Sequence, residues 1–434
     1  MHSPGTSSST TDPWNISEPS FGSTKLVAVI IRAALMLAVI CAVAPLAARP
    51  AQAQTESVLY NFCSQPNCSD GVNPDSNLTL DGTGNLYGMT EEGGAWGAGD
   101  VFELSPNGSG GWTYTVLYSF TGGADGGFPF YSSLIFDSVG NLYGTTQVGG
   151  LRSGCDGVGC GVVFELSPQG GRWIETVLYS FTGGADGAEP QNGLIMDSAG
   201  NLYGTTDYDL NGDLGTVFEL NRSGRGWTEQ VIYDEGPTGY WKISGPTMDA
   251  AGNIFGTTYS TVFELSPNGI GGWNPSVIHT FTGGPKDGLG AMGTLVLDQA
   301  GNVYGTTILG GSDGCGTVFK LSPRKQGKKK GEWTERILHS FKGGKDGEWP
   351  HAGIVFDAAG NIYGTAVGAG GGRIYELEAQ VGKHWYKEKV LWGFNGTDGS
   401  DPEGSLILDS AGNLYGTTWT GGSTTNGVVY QVTP

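Results

Sequence analysis

Histidine is scarce, five residues in 434, and no Ser/His/Asp spacing, phosphate-binding loop or zinc-ligand pattern accompanies it. Little is therefore present from which to assemble nucleophilic or zinc-dependent catalysis. Positive charge is equally thin: 22 Lys and Arg stand against 42 Asp and Glu, a net charge of −20. So acidic a surface repels polyanions, which excludes nucleic acid and anionic lipid as partners and leaves cations and neutral ligands. The basic cluster Arg324, Lys325, Lys328, Lys329 and Lys330 lies between two strands of a repeat and reads as a solvated loop. Charged residues make up only 15% of the chain, yet 38% is hydrophobic, 11% is aromatic, and the 78 glycines recur at fixed places. That combination argues against a disordered low-complexity chain and for short strands joined by many tight turns.

No uninterrupted apolar run reaches membrane-spanning length. The stretch from Leu26 to Ala48 is broken by Arg32, and its charge-free part, Ala33 to Ala48, is short for a span. It follows a polar lead ending at Lys25 and precedes Ala51-Gln52-Ala53, a cleavage-like signal. Residues 1–53 thus read as a leader plus signal peptide, with an uncleaved anchor as the alternative. A chain cut there would be secreted, periplasmic or at the cell surface, with no stable transmembrane anchor. Residues 54–434 would keep 19 of the 22 basic and 40 of the 42 acidic side chains, a net charge of −21. In an exported chain the two loop pairs Cys63/Cys68 and Cys155/Cys160 suggest local disulfides, and Cys315 is left over.

The element Gly-Asn-aliphatic-Tyr/Phe-Gly begins at Gly84, Gly140, Gly200, Gly252, Gly301, Gly360 and Gly412, with spacings of 49 to 60 residues. Each copy follows an apolar run ending in Asp. A Val-Phe-Glu-Leu-like run comes after it, then a Gly/Trp turn, then a Val-Leu-Tyr-Ser-Phe-like run. Four β runs with a period near fifty residues predict an all-β fold, a seven-bladed β-propeller of four-stranded blades. We denote the strands a to d from the axis outward. Residues 57–62 read as a lone d strand, and the last repeat stops after its c strand at Val428–Val432. The predicted ring therefore closes three plus one, with strand 57–62 completing the last blade. Trp112, Trp173, Trp227, Trp273, Trp333 and Trp385 mark the c–d turns and read as packing residues.

Written out this way, the chain resembles bacterial proteins with GloVer-type tandem repeats. The resemblance is carried by Gly-Asn-Leu-Tyr-Gly-Thr-Thr at 140–146, 200–206 and 412–418, and by the Leu-Tyr-Ser-Phe and Asp-Gly-x-x-Pro elements. It covers residues 56–434. It implies the propeller and says little about activity. Many members carry a C-terminal sorting anchor, which a chain ending at Pro434 is expected to lack. A looser similarity, through Gly-Asn-Leu turns, is to streptogramin-lyase-like propellers.

Antiparallel strands put the short, near-identical a–b turns on one face with the c–d turns. The variable b–c loops share the other face with the d–a loops, and variable loops on a rigid scaffold are where binding usually sits. Six d–a loops carry Asp-Gly, at Asp70, Asp125, Asp186, Asp287, Asp346 and Asp398. Two readings stand. Either each Asp caps its own turn, or the six form a ring of carboxylates holding Ca²⁺ or Mg²⁺. Glu189, Glu348, Asp401 and Glu403 add acid to that face. His279 and His339 occupy the Tyr position of strand d, and His384 lies on the scaffold face. His351 beside Glu348 is the one candidate acid–base pair. The expected function is a monomeric binding module for a glycan or a protein, with Trp96, Trp241, Trp349 and Trp419 as loop aromatics. The alternative is a metal-assisted lyase or hydrolase at the channel mouth around His351, Glu348 and Asp346.

Overall fold

Each repeat folds into one blade because its turn chemistry fixes the innermost hairpin. In the computed structural model, Asp81 Oδ1 accepts the backbone N–H of Thr83 (2.8 Å) and of Asn85 (2.9 Å), and Asn85 Nδ2 donates to Oδ2 (2.9 Å). The same cradle recurs at Asp137, Asp197, Asp249, Asp298, Asp357 and Asp409. Six of the strand b tyrosines, Tyr87 for example, also donate to this carboxylate; the fourth repeat has Phe255 there. Burial pushes Asp81, Asp137, Asp298 and Asp409 upward, but these donors outweigh it and hold the carboxyls below their usual range.

The described residues are 54–434 apart from 153, 209–214, 225, 235–243, 325–330, 369, 381 and 383–384. They form seven four-stranded antiparallel sheets arranged as a ring. In the first blade strands a to d are Thr79–Leu80, Leu86–Thr90, Asp100–Pro106 and Trp112–Ser119. The ring closes as expected: Ile407–Leu408, Leu414–Thr418 and Val428–Thr433 form three strands, and Thr55–Asn61 forms the fourth. Its register runs from Thr55 opposite Thr433 to Asn61 opposite Val428.

Blades are held to one another by a repeated aromatic pair. The Phe that ends strand d meets the strand c aromatic of the next blade edge-on. Phe62–Phe102, Phe120–Phe164, Phe181–Phe218, Phe281–Phe319, Phe341–Tyr375 and Phe394–Tyr430 all have centroids 4.9–5.2 Å apart. The strand c aromatic also explains the second glycine of the repeat element. A Cβ on Gly204 would stand 2.4 Å from Phe218 Cζ and 2.7 Å from Leu194 Cδ2. The ring takes the space a side chain would need.

The c–d tryptophans pack as expected in most blades: Trp112 on Tyr415, Trp273 on Tyr203 and Trp333 on Phe255, each on the neighbouring blade. The sixth blade departs from this. There Tyr386 pairs across to Ala379, as Trp333 pairs to Pro323, and it is Tyr386 that packs on the core. Trp385 is one residue out of register and 47% exposed, because a one-residue slip turns a side chain to the opposite face. Cys63–Cys68 and Cys155–Cys160 are disulfides, and Cys315 is free. No helix among the described residues is long and apolar enough to cross a membrane.

Candidate functional site

The d–a loops thread between b–c loops. Asn73, Phe128, Glu189, Trp349 and Asp401 each precede a proline and hold a left-handed φ of 53–59°. Their N–H groups bond the preceding blade's b–c loop: Trp349 donates to the Cys315 carbonyl (3.0 Å) and Asp401 to that of Gly371 (3.1 Å). Their carbonyls accept from the following b–c loop, as Asp401 does from Trp419 N–H at 2.9 Å. This clip turns the next residues toward the axis.

Small residues ring the axial channel where strand a begins: Asn77, Ser133, Gly193, Gly245, Thr294, Gly353 and Ser405. Two positions earlier the side chains become large and chemically varied. Asp75, Tyr131, Met292, His351 and Glu403 line a recess at the channel mouth. All five lie six residues before the turn Asp of their repeat, as does Gln191; the fourth repeat's residue, at 243, is outside the described residues.

Asp75 is the focus of the recess. It is 2% exposed, and its Oδ1 is buried with no hydrogen-bond partner among the described residues. Its Oδ2 accepts one bond, from Tyr131 N–H at 3.3 Å. Burial first, then the nearby charges of Glu91 and Glu403, raise its carboxyl well above the usual range. The Tyr131 hydroxyl donates to Glu403 Oε2 across the mouth, and burial followed by the Glu403 charge raises its own proton affinity. Tyr131 holds φ +48°, a conformation that costs a non-glycine residue and persists only where the surroundings impose it. Beside the recess, Trp419 Nε1 donates to Glu91 Oε2 at 3.3 Å. The Glu91 carboxyl is raised by burial and by the charges of Glu92 and Glu403, against the Trp419 bond.

Of the residues singled out from sequence, the recess gathers His351 and Glu403. Glu348 is not in its lining; it packs under Gly368, with Cys315 close by. Asp346 is held by Lys342 N–H (2.7 Å) and His339 (3.4 Å). The other Asp-Gly carboxylates are likewise bound within their own loops. Asp70 accepts from Tyr60 and Ser64, Asp125 from Tyr118 and Thr121, Asp186 from Tyr179 and Thr182, Asp287 from Thr282, and Asp398 from Trp392 and Asn395. Among the described residues no three of the six converge. Trp96, Trp349 and Trp419 are exposed on this face, by 69%, 43% and 36%, and Trp241 lies outside the described residues. Asp75 and Tyr131 were not singled out from sequence. The signal was present: beside strand and turn positions that hardly change, this one reads Asp, Tyr, Gln, Ile, Met, His, Glu.

The Gloeobacter/Verrucomicrobia repeat matches residues 47–261 and 258–434. No curated protein matches the sequence. Among solved structures, virginiamycin B lyase from Staphylococcus aureus is similar at 13% identity and a TM-score of 0.52, over 88% of this chain and 99% of that one. The extracellular domain of a presumed hybrid two-component system from B. thetaiotaomicron gives 14% and 0.54, over 88% of this chain and 41% of that one. A presumed 6-phosphogluconolactonase from Bacteroides fragilis gives 13% and 0.52, over 82% and 98%. At these identities the likeness establishes the fold alone.

Proposed function

Because the chain belongs to the Gloeobacter/Verrucomicrobia repeat family, whose repeat builds all seven blades, its individuality lies in the positions that escape the repeat, and we propose that these make an exported binding module. The ligand is a neutral, hydroxyl-rich molecule of the glycan class, held at the axial recess. The observation that carries this is Asp75: a buried acid with one unpartnered oxygen, facing a cavity with a tyrosine and a second carboxylate. Such a group is costly unless a ligand completes its hydrogen bonding. Asp75, whose raised carboxyl favours the protonated form, can donate to a hydroxyl, Glu403 can accept from one, and exposed Trp419 and Trp349 offer faces for sugar rings. The surrounding acid disfavours anions.

A second reading is favoured by one observation: His351 lines the same recess as Asp75, Tyr131 and Glu403. An imidazole beside a carboxyl of raised proton affinity can serve as base and acid in an elimination or hydrolysis. A melting-temperature screen against a glycan panel, with and without EDTA, Ca²⁺ and Mg²⁺, tests the first reading. A glycan should stabilise the chain, and Asp75→Asn or Glu403→Gln should weaken that response at least about tenfold. Stabilisation indifferent to both variants, or none with any glycan, refutes it. With a binder in hand, His351→Ala separates the readings: binding kept and turnover lost makes the protein an enzyme.

A further inference from the structure

We propose that the outer groove between the fourth and fifth blades is a binding site for one divalent transition-metal ion, held by His279, Asp287 and Glu335. His279 lies on the fourth blade's strand d (Trp273–Thr280), Asp287 in the loop that follows, and Glu335 on the fifth blade's strand d (Trp333–Ser340). His279 Nε2 is 3.4 Å from Asp287 Oδ1 and 3.7 Å from Glu335 Oε1, and the three ligating atoms all lie within 4.8 Å of one another. The first is a long hydrogen bond, and the second lies beyond hydrogen-bond reach. Both lie close to the edges of a tetrahedron around an ion with bonds of about 2.0–2.2 Å, whose donor atoms stand about 3.3–3.6 Å apart. Glu335 Oε1 is buried and has no hydrogen-bond partner among the described residues, although it faces this cluster.

The supporting shell has the form that ligands need. Asp287 Oδ2 takes bonds from Thr282 N–H (2.7 Å) and Oγ1 (2.6 Å), and Oδ1 takes one from Gly288 N–H (2.8 Å), which fixes the carboxylate. The His279 ring is packed edge-on against Phe281 at 4.7 Å. Such outer contacts orient metal ligands.

The sister grooves supply the contrast. Between the first and second blades the place of His279 is taken by Tyr118, whose hydroxyl donates to Asp125, with Glu175 opposite. The next groove repeats this with Tyr179, Asp186 and Glu229. Between the fifth and sixth blades a histidine does return: His339 is 3.4 Å from Asp346, with Glu388 opposite. There, however, Lys342 stands where the site has Thr282, and its ammonium acts on both Asp346 and Glu388. That exposed ammonium adds positive charge beside the groove and disfavours a second cation. Only the groove between the fourth and fifth blades combines a nitrogen donor, two carboxylates and no fixed ammonium among the described residues. The imidazole favours Zn²⁺ over Mn²⁺ and Ca²⁺, which all-oxygen sites suit, and the ion would join two blades by their outermost strands.

The test uses the full chain stripped with EDTA and titrated calorimetrically with Zn²⁺, Mn²⁺ and Ca²⁺. One Zn²⁺ should bind per chain, more tightly than Mn²⁺ and far more tightly than Ca²⁺, and should raise the melting temperature. His279→Tyr keeps the residue that sister blades use and so preserves the fold; it and Glu335→Gln should each weaken Zn²⁺ at least about tenfold. His339→Tyr and His351→Ala should leave binding unchanged. Zn²⁺ binding that survives both groove variants overturns the proposal, as does no binding at micromolar Zn²⁺. Loss in His351→Ala instead would move the ion to the axial recess and also overturn it. Because the glycan response is read at Asp75, either proposal can fail alone.

Discussion

Neutralising the strand d glutamates should stabilise this protein at neutral pH and do nothing in mild acid. Glu175 and Glu229 sit in outer grooves, each with a buried Oε1 that has no hydrogen-bond partner among the described residues. Burial, then the charges of Asp125 and Asp186 respectively, raise both carboxyls from 4.5 to about 7. An acid whose folded value exceeds its unfolded value favours the folded state while protonated. Its contribution is therefore complete below pH 4.5 and is lost as the pH rises to about 7. At about 1.36 kcal/mol per pH unit the ceiling is about 3 kcal/mol per residue. Both side chains are partly exposed, and solvent screening reduces this to about 1–2 kcal/mol each. Gln copies the protonated acid, so Glu175→Gln/Glu229→Gln should gain about 2–4 kcal/mol over wild type at pH 8 and nothing at pH 4.5. Chemical denaturation at the two pH values measures it. Below pH 4 the lowered turn carboxylates Asp81 and Asp137 act in the opposite sense: stability present above their unfolded value of 3.8 falls away with further acid. Wild-type stability should thus peak near pH 4–5. A variant with an unchanged slope between pH 4.5 and 8, or one destabilised at pH 8, would refute the reasoning.

Two further outcomes follow from packing. Gly204→Ala places a Cβ against the Phe218 ring without any need for a left-handed backbone, so it should cost about 1–3 kcal/mol by overpacking in an equilibrium melt. Trp333→Ala should cost about 2–3 kcal/mol, because Trp333 packs on Phe255, whereas Trp385→Ala, out of register, should stay within about 0.5 kcal/mol.

The architecture was legible because the repeat states its local chemistry seven times. Asp and Asn at fixed offsets around a glycine dictate the a–b turn whatever lies around them, and the unmatched strand at 57–62 left one way to complete the last blade. The site was less legible for the same reason. Asp-Gly stands out in the sequence because it recurs, and each of these carboxylates takes hydrogen bonds from its own loop or the strand before it. Asp75 and Tyr131 recur in nothing, and only the ring brings positions fifty residues apart to one axis. Pairing His351 with Glu348 assumed that neighbours in sequence stay neighbours. The proline clip between them turns His351 into the recess and leaves Glu348 at a b–c loop. Trp385 misled by composition alone, since register, which follows from Ala379 pairing with Tyr386, decides which aromatic faces the core.

The strand that closes the ring has a consequence for biogenesis. Thr55 pairs with Thr433, so the first strand made must wait for the last. Until then, Thr55–Asn61 and the edge of Val428–Thr433 are bare ladders open to any passing strand, and contacts this distant in sequence form slowly. The growing chain therefore passes through a long interval as six whole blades and an open seam. A strand-like peptide offered at that moment could pair with the bare edge of Val428–Thr433 and take the place of the first strand.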